Sequence, residues 1–129
     1  MTEYVVDSFA WIEYFKGTPL GERVRQIVEN PESRLLTPAP MLAEIRSKFL
    51  REAQDPEPPT GAVESLSEIV PLDASLARLA GDEHASRRKS VRDFGMLDAF
   101  LLATARSRDD TILTGDPHFR GLPKVEFLA

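Results

Sequence analysis

Four acidic residues in the 129-residue sequence stand where they could do chemistry together: Asp7, Glu44, Asp98 and Asp116. Asp7 closes the β-branched and aromatic run Tyr4-Val5-Val6, and Asp116 follows the similar run Thr111-Ile112-Leu113. Both fall just past strand candidates. Glu44 lies in a helical pattern carrying Met41, Leu42, Ile45 and Phe49, at about 115° from the centre of that apolar stripe. That places it on the flank, within reach of a sheet edge. Asp98 interrupts the run Met96 to Ala105, which is apolar almost all round and predicts a buried helix. A carboxylate there needs a cation, a donor or a helix N-terminus.

Each of the four also has an ordinary structural role. Asp7 would cap a helix starting at Ser8, and Asp116-Pro117 reads as cap plus first helical residue. Glu44 could pair with Lys48 one turn on, and Asp98 could cap a helix beginning at Ala99. Taken together they make a converging set. Oxygen ligands without thiolate or clustered histidine suit a hard cation, Mg²⁺ or Mn²⁺, and disfavour zinc. Such a cation lowers the pKa of an attacking water and neutralises phosphate charge, which is the chemistry of phosphodiester hydrolysis.

The elements that would position these residues alternate between strand and helix. Strand patterns occur at Tyr4–Val6, Arg34–Thr37, Ile69–Leu72, Thr111–Leu113 and Val125–Leu128, with Pro71 favouring a sheet edge. Helical patterns run over Ser8–Phe15, from Pro19 to Val28, from about Pro40 to Ala53, from Thr60 to Leu66, onward from Asp73, and over Met96–Arg106. Asp55-Pro56-Glu57-Pro58-Pro59 reads as a surface loop between helices. Strands separated by helices require crossover connections, so the expected fold is α/β, three layers with a mainly parallel central sheet, in one domain over residues 1–129. Ligands of such sheets bind outside the carboxyl ends of the strands, where Asp7 and Asp116 fall.

Composition narrows the function. The chain is 42% hydrophobic and 29% charged, and a domain of this length buries roughly two-thirds of its unfolded surface. No apolar run approaches the roughly 20 residues of a membrane span, and no signal peptide is visible at Met1-Thr2-Glu3-Tyr4. With zero cysteines there is no disulfide scaffold, thiolate zinc site or thiol nucleophile, so a cytoplasmic setting is expected. A net charge of −5 excludes a generic nucleic-acid coat but not a nucleic-acid enzyme with local basic groups.

The motifs Val5-Val6-Asp7-Ser8, Leu42-Ala43-Glu44-Ile45, Met96 to Ala105 and Leu113-Thr114-Gly115-Asp116-Pro117-His118-Phe119 resemble those of the PIN-domain nucleases, most of all the VapC-type toxins of toxin–antitoxin pairs. The resemblance runs over essentially the whole chain, in order. It implies a Mg²⁺- or Mn²⁺-dependent endoribonuclease with Asp7, Glu44, Asp98 and Asp116 as its acidic residues and Thr114 as a hydroxyl beside the site. It also implies products with 5′-phosphate and 3′-hydroxyl ends, a homodimer, and an antitoxin partner carrying a DNA-binding domain.

The densest positive charge, Arg87-Arg88-Lys89 with Arg92, reads either as a solvated loop or as phosphate contacts guiding RNA toward Asp98, with Arg46, Lys48 and Arg51 extending it. His84 and His118 are too far apart in sequence to form a ligand set, and His118 is expected to pack or cap after Asp116. Trp11 is assigned either to the core or to a dimer or antitoxin interface. Two other functions remain. An aspartate-nucleophile phosphatase would use Asp7 and the Thr114-Gly115-Asp116 motif, but its family carries a second Asp two residues after the nucleophile, where this chain has Phe9. A catalytically silent interaction module would need none of the four acids.

Overall fold

The computed structural model describes residues 1–129. Five strands, β1 (Thr2–Val6), β2 (Ser33–Pro38), β3 (Glu68–Val70), β4 (Thr111–Thr114) and β5 (Val125–Phe127), form one sheet in the order β3-β2-β1-β4-β5. Every pairing is parallel. The six helices are α1 (Ser8–Lys16), α2 (Pro19–Val28), α3 (Ala39–Arg51), α4 (Glu57–Leu66), α5 (Ala74–Arg87) and α6 (Met96–Arg108). No helix is long and apolar enough to cross a membrane.

The three layers follow from the period-two alternation of side chains along the strands. Val5, Leu36 and Ile112 face one way and pack with Leu76 and Ala80 of α5 and Leu101, Leu102 and Ala105 of α6. Their neighbours Val6, Leu35 and Leu113 face the other way, against Ala10 and Trp11 of α1, Val24 of α2, Ile45 of α3 and Val63 of α4. Both faces are covered, which is why the central strands read as continuous apolar runs. Met41 joins the first cluster while Ile45 joins the second, so α3 bridges both layers where it leaves the carboxyl end of β2.

Local chemistry sets several boundaries. Thr18 caps α2 by accepting from the Gly21 amide at 3.0 Å, with Pro19 at the first helical position. Gly21 itself is dictated by close approach, since a Cβ there would lie 1.9 Å from the Glu13 carbonyl oxygen of α1. The proline-rich stretch differs from the expected loop: α4 starts at Glu57, with Asp55 accepting from the Glu57 amide at 3.0 Å. Pro58 and Pro59 occupy its first turn, where a missing N–H leaves no helical bond unmade. Trp11 is fully buried and donates through Nε1 to the Thr37 hydroxyl at 3.0 Å, so it belongs to the core and not to an interface.

The strand order carries the functional geometry. From β1 the chain runs outward to β2 and β3, then crosses back to place β4 on the other side of β1. The β1–β4 pair is therefore the switch point, where diverging connections leave a crevice outside the strand ends.

Candidate active site

Asp7 immediately follows β1 at that crevice. It holds the N-cap position of α1, yet its side chain makes no capping hydrogen bond. Instead Oδ2 accepts the Thr114 hydroxyl from the end of β4 at 2.7 Å. Asp7 as a whole is 5% exposed. Burial pushes its pKa up to about 7; the Thr114 hydrogen bond opposes this, and the charges of Glu44, Asp116 and Asp98 add to the rise.

The other elements converge on it. Ser8, the first residue of α1, donates its hydroxyl to Glu44 Oε1 at 3.1 Å, tying α1 to α3. Burial raises the Glu44 pKa, Ser8 partly offsets the rise, and Asp98 and Asp116 reinforce it. Lys48 does not pair with Glu44 but with Glu52, at 3.1 Å. Thr114 Oγ1 accepts the Asp116 amide at 3.0 Å while donating to Asp7, so one hydroxyl holds two acidic residues. Asp116 Oδ1 in turn accepts the His118 amide at 2.9 Å, closing a short 3₁₀ turn over Pro117–Phe119. Between Thr114 and Asp116, Gly115 leaves room for a neighbour: a Cβ there would lie 2.4 Å from the Phe9 ring. Phe9 thus packs where the phosphatase alternative needs an acid.

Asp98 sits in the first turn of α6, which starts earlier than a cap at Asp98 would require. Gly95 is the N-cap, and its amide donates to Asp98 Oδ2 at 2.9 Å. Met96 and Leu97, expected to be buried, are 47% and 40% exposed, whereas Ala99, Leu101, Leu102, Ala103 and Ala105 further along α6 are buried. The second partner of Asp98 Oδ2 is His118 Nδ1 at 2.8 Å, and His118 Nε2 lies 3.1 Å from Asp93. Burial lowers the His118 pKa, but the hydrogen bonds to Asp93 and Asp98 outweigh it and leave the net shift upward. His118 is the site residue that sequence spacing missed. The available signal was its place in the turn started by Asp116-Pro117.

Asp7, Glu44, Asp98 and Asp116 line one cleft of about 350 Å³, together with Ser8, Phe9, Ile12, Glu13, Lys16 and Lys48. A carboxylate oxygen each of Asp98 and Asp116 and a ring nitrogen of His118 all lie within 4.8 Å of one another. The donors are mainly carboxylate oxygens, and the Asp7 carboxylate is desolvated among like charges, a set that fits a hard divalent cation. The basic stretch lies elsewhere. Arg87, at the end of α5, donates to the carbonyls of His118 and Arg120 at 3.0 and 2.9 Å, with its guanidinium 5.9 Å from the Phe94 ring centre. It latches the turn that carries His118. Arg88, Lys89 and Arg92 are exposed and do not line the cleft.

A parallel three-layer α/β domain with an acidic crevice at its switch point is the class that fold and site define. The sequence matches the PIN domain across residues 4–125. The chain belongs to the PIN domain family. Comparison with curated proteins finds no match. Among solved structures, the chain is similar to VapBC-5 from Mycobacterium tuberculosis, a member of the VapBC family of toxin–antitoxin systems, at 26% identity and TM-score 0.67, covering 99% of this chain and 98% of that one. It is similar to VapBC2 from Rickettsia felis bound to a promoter DNA fragment, at 15% identity and TM-score 0.75, covering 99% and 100%. It is also similar to Mycobacterium tuberculosis VapC20, a sarcin–ricin loop cleaving toxin, at 17% identity and TM-score 0.73, covering 99% and 100%.

Proposed function

We propose that this protein is a VapC-type toxin, a divalent-metal-dependent endoribonuclease. One observation carries the reading: carboxylates from four separate elements line a single cleft at the β1–β4 switch point. Asp7, Glu44, Asp98 and Asp116 would hold one or two Mg²⁺ or Mn²⁺ ions. A bound ion of this kind supplies an acidified water for in-line attack on phosphorus and neutralises charge on the phosphate.

The remaining residues orient that set. Thr114 holds Asp7 and the Asp116 backbone in fixed register, and Ser8 holds Glu44 against α1. His118 has both ring nitrogens on carboxylates, so it serves as a positioning residue for Asp98. Arg87 fixes the turn behind it. RNA is the substrate this family reading supports. The likeness to VapBC systems supports a cognate antitoxin as partner. The homodimer follows the sequence's resemblance to VapC-type toxins, and the cysteine-free composition suits a cytoplasmic setting.

The test is incubation of purified protein with single-stranded RNA in Mg²⁺ and in EDTA, beside the Asp116→Asn variant. Cleavage in Mg²⁺ only, and only by the parent, supports the reading. Equal cleavage in EDTA, or none by the parent on any RNA offered, contradicts it.

A further inference from the structure

We propose that the end of the cleft formed by Lys16 and Lys48 is a subsite for a backbone phosphate of single-stranded RNA, next to the phosphate that is cut. This rests on the nuclease reading and extends it.

The cleft is bipolar. Its acidic end lies where α1 and α3 begin, at the carboxyl ends of β1 and β2. Both helices then run away from it. Lys16 ends α1, eight residues and about 12 Å beyond Ser8 at 1.5 Å per residue. Lys48 follows Glu44 by one turn of α3. Both lysines line the cleft, and Lys16 is exposed with no ion-pair partner. Lys48 pairs only with Glu52, whose carboxyl is held below its ordinary pKa first by the Lys48 hydrogen bond and then by the charges of Lys48, Lys16 and Arg51. The fields of Lys16 and Arg51 therefore act on the same carboxylate that pairs with Lys48. Glu13, the remaining acid of the cleft, accepts the Thr18 hydroxyl at 2.9 Å.

Between the two ends lie Phe9 and Ile12, both half-buried. They offer an apolar surface to a base or ribose, as single-strand binding sites commonly do. A chain of net charge −5 needs local cations to hold RNA against its own field. The exposed residues of the 87–92 stretch lie outside the cleft, whereas Lys16 and Lys48 lie in it.

The experiment measures binding of a fluorescein-labelled, mixed-sequence, single-stranded oligoribonucleotide by anisotropy across a KCl series. Ca²⁺ replaces Mg²⁺, since its looser oxygen shell occupies such a site with different geometry. Lys16→Ala/Lys48→Ala is expected to weaken binding on the order of tenfold at 0.1 M salt and to reduce the log–log salt slope by about 1.4, two single-strand contacts at about 0.7 each. Arg88→Ser/Lys89→Ser/Arg92→Ser is expected to bind as the parent does. An unchanged slope in the lysine variant, with a parent that binds and cleaves RNA, overturns the subsite alone. A parent that neither binds nor cleaves RNA overturns the nuclease reading and the subsite with it.

Discussion

The Thr114 hydroxyl donates to Asp7 Oδ2 at 2.7 Å across 107 residues of chain, joining the carboxyl ends of β1 and β4. The same oxygen accepts the Asp116 amide, so the two strand ends that flank the switch point are held in register by one side chain. Asp7 and Asp116 are thus fixed at the ends of two paired strands, while Glu44 and Asp98 reach the site from α3 and α6. That argues for a site that keeps its shape with or without a cation.

Asp98→Asn should keep the fold. The amide oxygen can still accept from the Gly95 amide, and the change removes one of several like charges. Cleavage should fall by at least about 100-fold, since a neutral amide is a poor ligand for a hard cation. His118→Gln should lower metal affinity about 10–100-fold, as loss of a ligand-orienting partner does. Circular dichroism and Mn²⁺ titration separate the effects; an unfolded Asp98→Asn would show that the residue serves α6 instead.

Asp7 predicts a pH signature in the metal-free protein. Its folded pKa of about 7 lies above the ordinary 3.8, so its contribution is fully present below about pH 4 and is lost as pH rises through 7. The gap of about three pH units corresponds to about 4 kcal/mol. Urea melts of Asp7→Asn should lack this decline. Mn²⁺ should raise the parent's Tm more at pH 7.5 than at pH 5, because it binds the charged form. Parallel pH curves for parent and variant would contradict the assignment.

Arg87 should separate from its basic neighbours. Arg87→Ser removes two hydrogen bonds to carbonyls and the contact with Phe94, a loss of about 1–3 kcal/mol. Replacing the exposed Arg88, Lys89 and Arg92 by Ser should change stability by no more than about 0.5 kcal/mol. Equal melting curves for the two variants would remove the latch.

Gly115→Ala drives a Cβ into the Phe9 ring and to 2.9 Å from the Leu128 carbonyl, so it should cost about 1–3 kcal/mol and weaken metal binding through Thr114 and Asp116. Gly81→Ala, which meets open space within α5, should stabilise by up to about 1 kcal/mol. Calorimetry of the pair checks the sign of each.

The layered fold was legible because its signals are local. Strand runs bounded by Asp7 and by Thr114-Gly115-Asp116, and helices of period 3.6, imply crossovers and hence a parallel sheet. The placement of the four acids near strand ends and on adjoining helices was legible for the same reason. What stayed hidden depends on contacts distant in sequence. His118 reaches Asp98 twenty residues back, Arg87 folds onto carbonyls more than thirty residues on, and Trp11 finds Thr37 inside the core. The first turn of α4 was missed because three prolines read as a breaker, although proline is tolerated where a helix begins.

The chemistry of the RNA ends tests the central claim most directly. Water activated at a carboxylate-held cation would add its oxygen to phosphorus as the 3′ oxygen leaves in line, giving the 5′-phosphate and 3′-hydroxyl that the resemblance to VapC-type toxins implies. The account predicts those ends from the parent in Mg²⁺, with the product ligatable at its 5′ end without prior phosphorylation. Products ending in 2′,3′-cyclic phosphate would mean attack by the ribose hydroxyl and would contradict it.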